Sequence, residues 1–211
     1  MKNHPIYEKA KRGEYLTHAD RAKLIRSALA LAFPSTKFSV TTKTYSGGGS
    51  VSVGWMDGPS SEQVEKIAGQ FETRGFDGMI DMAHNCDLWL APDGTASIAH
   101  DSGTQGSMGM HPEIIGSAHH PDAILVENIC SGFVSCSHHF SADRLRAAIE
   151  SVKAENWADL QSFNWDQIEV LTSEYDGSGY TKGAGSARVY NQWLDGFIFN
   201  RAAELGQTVN A

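Results

Sequence analysis

The sequence predicts an α+β fold: an antiparallel sheet built from hairpins, helices packed on one face, and an aromatic-rich helical extension at the carboxyl end. Three observations predict it. Apolar residues recur at helical spacing in some segments and at two-residue spacing in others. The helical segments alternate with strand pairs joined by turn residues, a pattern that favours hairpins over the βαβ units of a parallel sheet. With 211 residues, 41% of them hydrophobic and 20% charged, the chain is long and apolar enough to bury a core of its own. That composition excludes a disordered chain, a collagen-like repeat and a disulfide scaffold.

Taken in order, residues 1–16 read as an amino-terminal arm, residues 17–154 as the α+β domain and residues 155–211 as an extension packed on it. The first helix spans Thr17 to Phe33. Thr17 is placed to cap it, Asp20 lies in its first turn, and Ala22, Ile25, Leu29 and Ala32 form an apolar stripe that Pro34 ends. Phe38, Val40 and Thr42, then Val51, Val53 and Trp55, alternate with polar residues or glycine and read as a hairpin joined by residues 46–50. Ser60 and Gln63 fit a capping box for a helix reaching Thr73. The run Gly75 to Asp81 reads as a turn. Asp87–Ala91 and Thr95–Ala99 pair across Pro92-Asp93-Gly94, and Ile124–Cys130 with Phe133–Ser137 form a third pair. Ser141 caps a helix to Ala154. In the tail, Ile168–Leu171 is strand-like, and a last helix from Ala187 to Leu205 carries Val189, Trp193, Leu194, Phe197 and Ile198. That stripe is too apolar to stand alone, so it either closes the fold or makes a homodimer.

The formal charge of −8 is unevenly spread. Residues 1–50 hold nine Lys/Arg and three Asp/Glu, and residues 51–211 hold eight against 22. An acidic body suits a basic partner, and a basic amino-terminal part suits phosphate. Three cysteines cannot all pair within one chain, which favours a reducing compartment. The polar start lacks the apolar stretch of a secretory signal, and no apolar run approaches the roughly 20 residues that span a bilayer. The expected location is the cytoplasm, with no membrane partner.

No constellation identifies a reaction, so no catalytic residue and no cofactor is assigned. The Gly47–Gly49 run lacks the lysine of a phosphate-binding loop and fits a hairpin turn. His84, Cys86, Cys130, Cys136 and His138 have the donor chemistry of a zinc site, yet their spacings match no zinc motif. Together with the histidine-bearing stretch 100–122 they define a third, enzymatic alternative. Asp77 and Asp81 flank a glycine and read as turn residues before acid/base groups.

Residues 22–40, AKLIRSALALAFPSTKFSV, are followed by YSGGGSVSVGWMDGP, EQVEKIAGQFETRGFDGMIDM and, later, HPDAILV. Together these segments resemble the large polyvalent protein-associated domain family of phage and conjugative-plasmid proteins. The resemblance is closest over residues 22–81 and extends more loosely to Ala154. It implies a small α+β fold and a mobile-element origin, in a bacterial host. It supplies no activity and no catalytic residue. Phe38, Trp55, Asp57, Gly58, Pro59, Phe76, Asp77 and Gly78 read as its packing and turn positions.

The first functional expectation is a non-enzymatic binding protein that blocks a host defence complex of anti-CRISPR or anti-restriction type. Its acidic face would be Glu62, Glu65, Glu72, Asp77 and Asp81, offered to a host protein or protein–nucleic-acid complex. The alternative is a nucleic-acid-binding accessory using Lys9, Lys11, Arg12, Arg21, Lys23, Arg26, Lys37 and Lys43.

Overall fold

The structure is a computed structural model that describes residues 3–78, 81–99, 117–155, 157–184, 187–189 and 192–207. It has the expected α+β architecture, with short antiparallel strands and helices between them. The chain divides into two compact units. The first is Met1–Pro34, Phe38–Gly54 and Glu62–Ser137; the second is Ser35–Lys37, Trp55–Ser61 and His138–Ala211.

In the first unit, α1 (Pro5–Lys11) buries Ile6 and Tyr7 and is capped by the His4 side chain. Helix α2 (His18–Ala32) begins where the sequence places it. Thr17 Oγ1 accepts from the Asp20 N–H, the Asp20 carboxylate accepts from the Thr17 N–H, and the two orphan donors are satisfied reciprocally. Asp20 also accepts from Lys9 Nζ at 2.6 Å. Burial pushes the Asp20 carboxyl up, but the bonds from Lys9 and Thr17 outweigh it and hold the acid below its usual range. A carboxyl depressed in the native state stabilises above its unfolded value, and that stabilisation is lost as pH falls through the folded value. Asp20→Asn should therefore lower the unfolding free energy from urea denaturation at neutral pH by about 1 kcal/mol. It should also lose less stability than wild type on moving below about pH 4. Equal acid losses in the two proteins would overturn this.

Strands β1 (Phe38–Tyr45) and β2 (Gly48–Met56) form the expected hairpin, with β2 buried at Val51, Val53 and Trp55. In β1 only Val40 is buried; the alternation read from Phe38, Val40 and Thr42 does not continue inward, because Thr42 is exposed. Strand β8 (Gly132–His139) adds to β2, giving the order β1-β2-β8. Helix α3 (Ser61–Ala68) is shorter than expected; it tightens to a 3-10 turn at Gly69–Phe71, where Gly69 weakens helix propagation. The segment read as a turn is a hairpin, β3 (Arg74–Asp77) with β4 (Met82–Asn85). Strands β5 (Leu88–Leu90) and β6 (Ala96–Ile98) pair as expected around Gly94, whose φ is 90°.

The third expected pair is corrected. Strand β7 (Ile124–Val126) pairs with β5, whereas β8 joins β2. Between them the chain is held by the bridge Leu16↔Ile129 and by bonds from the Leu16 N–H to Asn128 O and from the Cys130 N–H to Leu16 O. These bonds recruit the backbone that a direct β7–β8 hairpin would need.

In the second unit, the Asp57-Gly58-Pro59 turn is a latch. Asp57 takes a φ of 53°, its N–H donates to His139 O, and its carboxylate accepts from the Ser141 N–H at 3.0 Å. Trp55 Nε1 donates to Pro59 O at 2.9 Å. Ser141 caps α4 (Ala142–Ala154), as expected. Strands β9 (Glu169–Thr172) and β10 (Gly179–Lys182) pair antiparallel. The last helix starts later than expected. Residues 188–189 and 192–193 pair as the short strands β11 and β12, and α5 runs Leu194–Gln207. Its Leu194, Ile198 and Ala202 are buried with Leu145, Ile149 and Val152 of α4. Among the described residues no helix is long and apolar enough to cross a membrane.

Candidate functional site

The acidic residues of the first unit gather around α3 and the edge of β8. Glu62 and Glu65 lie on the exposed side of α3, while Val64 and Ala68 face inward. That split follows from helical periodicity: Val64 and Ala68, four positions apart, share one face, and Glu62 and Glu65, two before and one after Val64, are turned away from it. Glu72 is half-buried, and its Oε2 accepts from the Val134 N–H at 2.8 Å. Glu65 and Glu72 both act on Cys136 in β8. Burial first, then these two carboxylates, push its thiol up to about 11. Two of the expected acids thus converge on one neighbour. Asp81 is exposed at a φ of 57°, next to the start of β4. Asp77 lies in β3, paired with Met82; its side chain is outside the described residues.

The basic residues separate into two kinds. Arg21 is not available to phosphate: it is fully buried, with Nε on Phe71 O at 3.1 Å and Nη2 on Gly132 O at 2.9 Å. Its Nη1 points at Cys130 Sγ, 3.8 Å away. Backbone carbonyls solvate this cation, and among the described residues no carboxylate is paired with it. Gly132 makes room for it, since a Cβ there would lie 2.7 Å from Arg21 Nη1 and 2.5 Å from Gly49 O. Sequence reasoning missed this strut. The signal was its position, because Arg21, Leu24, Ile25 and Ala28 share one helical face. Lys9 is bound to Asp20 and Arg12 to Glu14. Lys11, Lys23, Arg26 and Lys43 are exposed, and Arg26 Nη2 also donates to Val40 O. Lys37 is exposed in the second unit.

The five metal-donor residues are dispersed. His84 lies in β4 opposite Gly75. Cys86 is buried, and its N–H donates to Thr73 O. Cys130 neighbours Arg21, and burial raises its thiol against that cation's pull. His138 lies in the second unit, stacked on Trp55 at 4.8 Å, with Nε2 3.1 Å from Asp57 O. Burial lowers its pKa. Among the described residues no three His, Cys, Asp or Glu side chains are grouped to hold a metal ion. Most of the histidine-bearing stretch, residues 100–116, lies outside the described residues. His119 is described, and its ring bonds Thr95 Oγ1 and Ser97 Oγ, both at 2.9 Å.

No curated relative and no solved structure matches the chain. A family model does: residues 16–117, just under half of the chain, match large polyvalent protein associated domain 29. The match takes in α2, the β1–β2 hairpin, α3 and the strands through β6. Over residues 16–117 the chain is therefore similar to large polyvalent protein associated domain 29, a likeness that suggests a phage- or mobile-element-associated protein.

Proposed function

We propose that the protein acts by binding, without catalysis, and that the acidic face of the first unit engages a basic surface on a host protein. The observation that supports this reading is that Glu62 and Glu65 are exposed together on α3, while Glu72, just past the end of that helix, is fixed on the Val134 N–H of β8. Grouped carboxylates of one sign steer a cationic partner and set its register. Proteins that handle nucleic acid carry the matching basic grooves. The mobile-element family makes a defence complex of the anti-CRISPR or anti-restriction target type the natural partner class, in the bacterial cytoplasm.

The test is retention of host proteins on the immobilised chain after nuclease digestion, compared with Glu62→Lys/Glu65→Lys. Both positions are exposed, so the variant should keep its circular dichroism spectrum. A basic protein held by wild type, released by moderate salt and lost at least ten-fold in the variant is the expected result. A partner that binds both forms equally across salt concentrations would overturn the acidic-face reading.

A further inference from the structure

A cleft of about 610 Å³ opens in the first unit between the start of α2, the β1–β2 hairpin and Ser131. Its walls are rich in hydroxyls, including Thr17, Thr42, Thr44 and Ser131, and it carries two tyrosine rings. Tyr15 is 51% exposed and Tyr45 43% exposed. Tyr45 is held in place, because its hydroxyl donates to Gly49 O at 3.2 Å across the turn. The floor includes His18, whose ring packs on Gly49 so closely that a Cβ there would lie 2.5 Å from Nε2. His18 Nδ1 is buried with no hydrogen-bond partner among the described residues.

The surroundings are cationic. From Arg21 to Met56 the chain has not one Asp or Glu, and Lys23, Arg26 and Lys43 of this stretch are exposed in the first unit. Lys23 stands one turn beyond Ala19, a lining residue, on the same helical face; it is 4.0 Å from Asp20. Arg26 follows one turn later and ties α2 to β1 through Val40 O. At the opposite end, Arg74 Nη1 donates to Gly47 O at 3.1 Å, with the guanidinium over the Phe133 ring. The nearby Asp20 carboxylate is taken up by Lys9 and Thr17. Charges beyond about 8–10 Å are largely screened at physiological salt, so the local balance decides, not the net −8.

We propose that this cleft binds a short run of single-stranded nucleic acid, with bases on the Tyr15 and Tyr45 rings and phosphates beside Lys23 and Arg74. Exposed aromatic platforms combined with a flanking line of cations are the means by which proteins hold single strands without reading sequence. A duplex keeps its bases stacked and cannot offer them to rings at a cleft mouth. The volume admits one or two nucleotides. The site lies apart from Glu62 and Glu65 on α3 and does not depend on a host partner.

The test is anisotropy of fluorescein-labelled oligo-dT and oligo-U, about ten nucleotides long, titrated with the full chain at low salt. Inorganic polyphosphate serves as competitor. Saturable binding with a Kd of roughly 10⁻⁶ to 10⁻⁴ M is expected for either oligomer. Tyr15→Ala and Tyr45→Ala should each weaken it about ten-fold, while Tyr45→Phe, which keeps the ring, should retain it. Lys23→Gln should reduce the slope of log affinity against log salt by roughly 0.7. All these side chains are exposed, so folding should be unaffected. A flat titration to about 100 µM protein would overturn the proposal, since even non-specific binding reaches that range. Binding that survives both tyrosine replacements and yields fully to polyphosphate would overturn it too, leaving only a polyanion surface. Neither result bears on the acidic-face reading, which the oligonucleotide assay does not probe.

Discussion

Arg21→Ala is expected to destabilise the first unit by about 3 kcal/mol or more. The wild-type guanidinium is 0% exposed and serves two backbone carbonyls, Phe71 O and Gly132 O, from separate segments of chain. Removing it orphans Phe71 O, at about 1–3 kcal/mol, takes one donor from Gly132 O, which keeps the Thr73 N–H at 3.2 Å, and opens a cavity where the side chain lay. Part of this is offset because a buried cation is itself costly to desolvate. Arg21→Met separates the contributions: it fills most of the volume and removes the charge, so the loss that remains is chiefly the unpaired Phe71 carbonyl, and about 2 kcal/mol is expected. Hydrogen exchange is the readout, because it assigns the loss to residues. Amides of α2, β2 and β8 should lose protection in both variants, and those of α4 and α5 should not follow to the same extent. An Arg21→Ala protein within about 0.5 kcal/mol of wild type would show that the guanidinium does not join these segments.

Elements set by local chemistry were legible. Thr17 with Asp20, Pro92-Asp93-Gly94 and Ser141 each carry their own capping or turn instruction, and the elements beside them lie where the sequence places them. What depends on distant partners was not. Gly75-Phe76-Asp77-Gly78 has the composition of a turn, yet Arg74–Asp77 is a strand because Met82–Asn85 lies antiparallel to it. Residues 124–126 have the apolar content of a strand, and nothing local states that β5 is their neighbour. The same limit governs the sites. Exposure of Glu62 and Glu65 follows from helical spacing, but the place of Glu72, whose carboxylate accepts from the Val134 N–H, requires β8. The tyrosine-bearing cleft draws its walls from residues 15–19, 42–48 and 130–131, which no window along the sequence brings together. Arg21 was misread for a different reason: charge suggested the surface, while its place on the apolar face of α2 pointed inward.

Ile198→Ala should cost the second unit about 2–4 kcal/mol, the range for emptying a buried aliphatic site. Ile198 is 0% exposed and, with Leu194 and Ala202, forms the i, i+4, i+8 line that α5 lays on Leu145, Ile149 and Val152 of α4. Ile198→Val, one methylene smaller, should cost about 1 kcal/mol. Trp193, half-exposed just before the helix and stacked under Arg188 at 4.4 Å, is the contrast. Its replacement by alanine should stay within about 1 kcal/mol. The three values together decide what the apolar stripe is for. A stripe consumed inside the chain gives unfolding midpoints independent of protein concentration, with Ile198 dominant. A stripe shared between two copies ties stability to concentration, because dissociation precedes or accompanies unfolding. Full coverage of Leu194, Ile198 and Ala202 by the chain's own α4 and its neighbours leaves this line no area to offer a second copy. Denaturation at protein concentrations a hundred-fold apart should therefore give one midpoint. A midpoint that rises with concentration, and falls back in Trp193→Ala rather than Ile198→Ala, would place a dimer contact on the outer face of the tail instead.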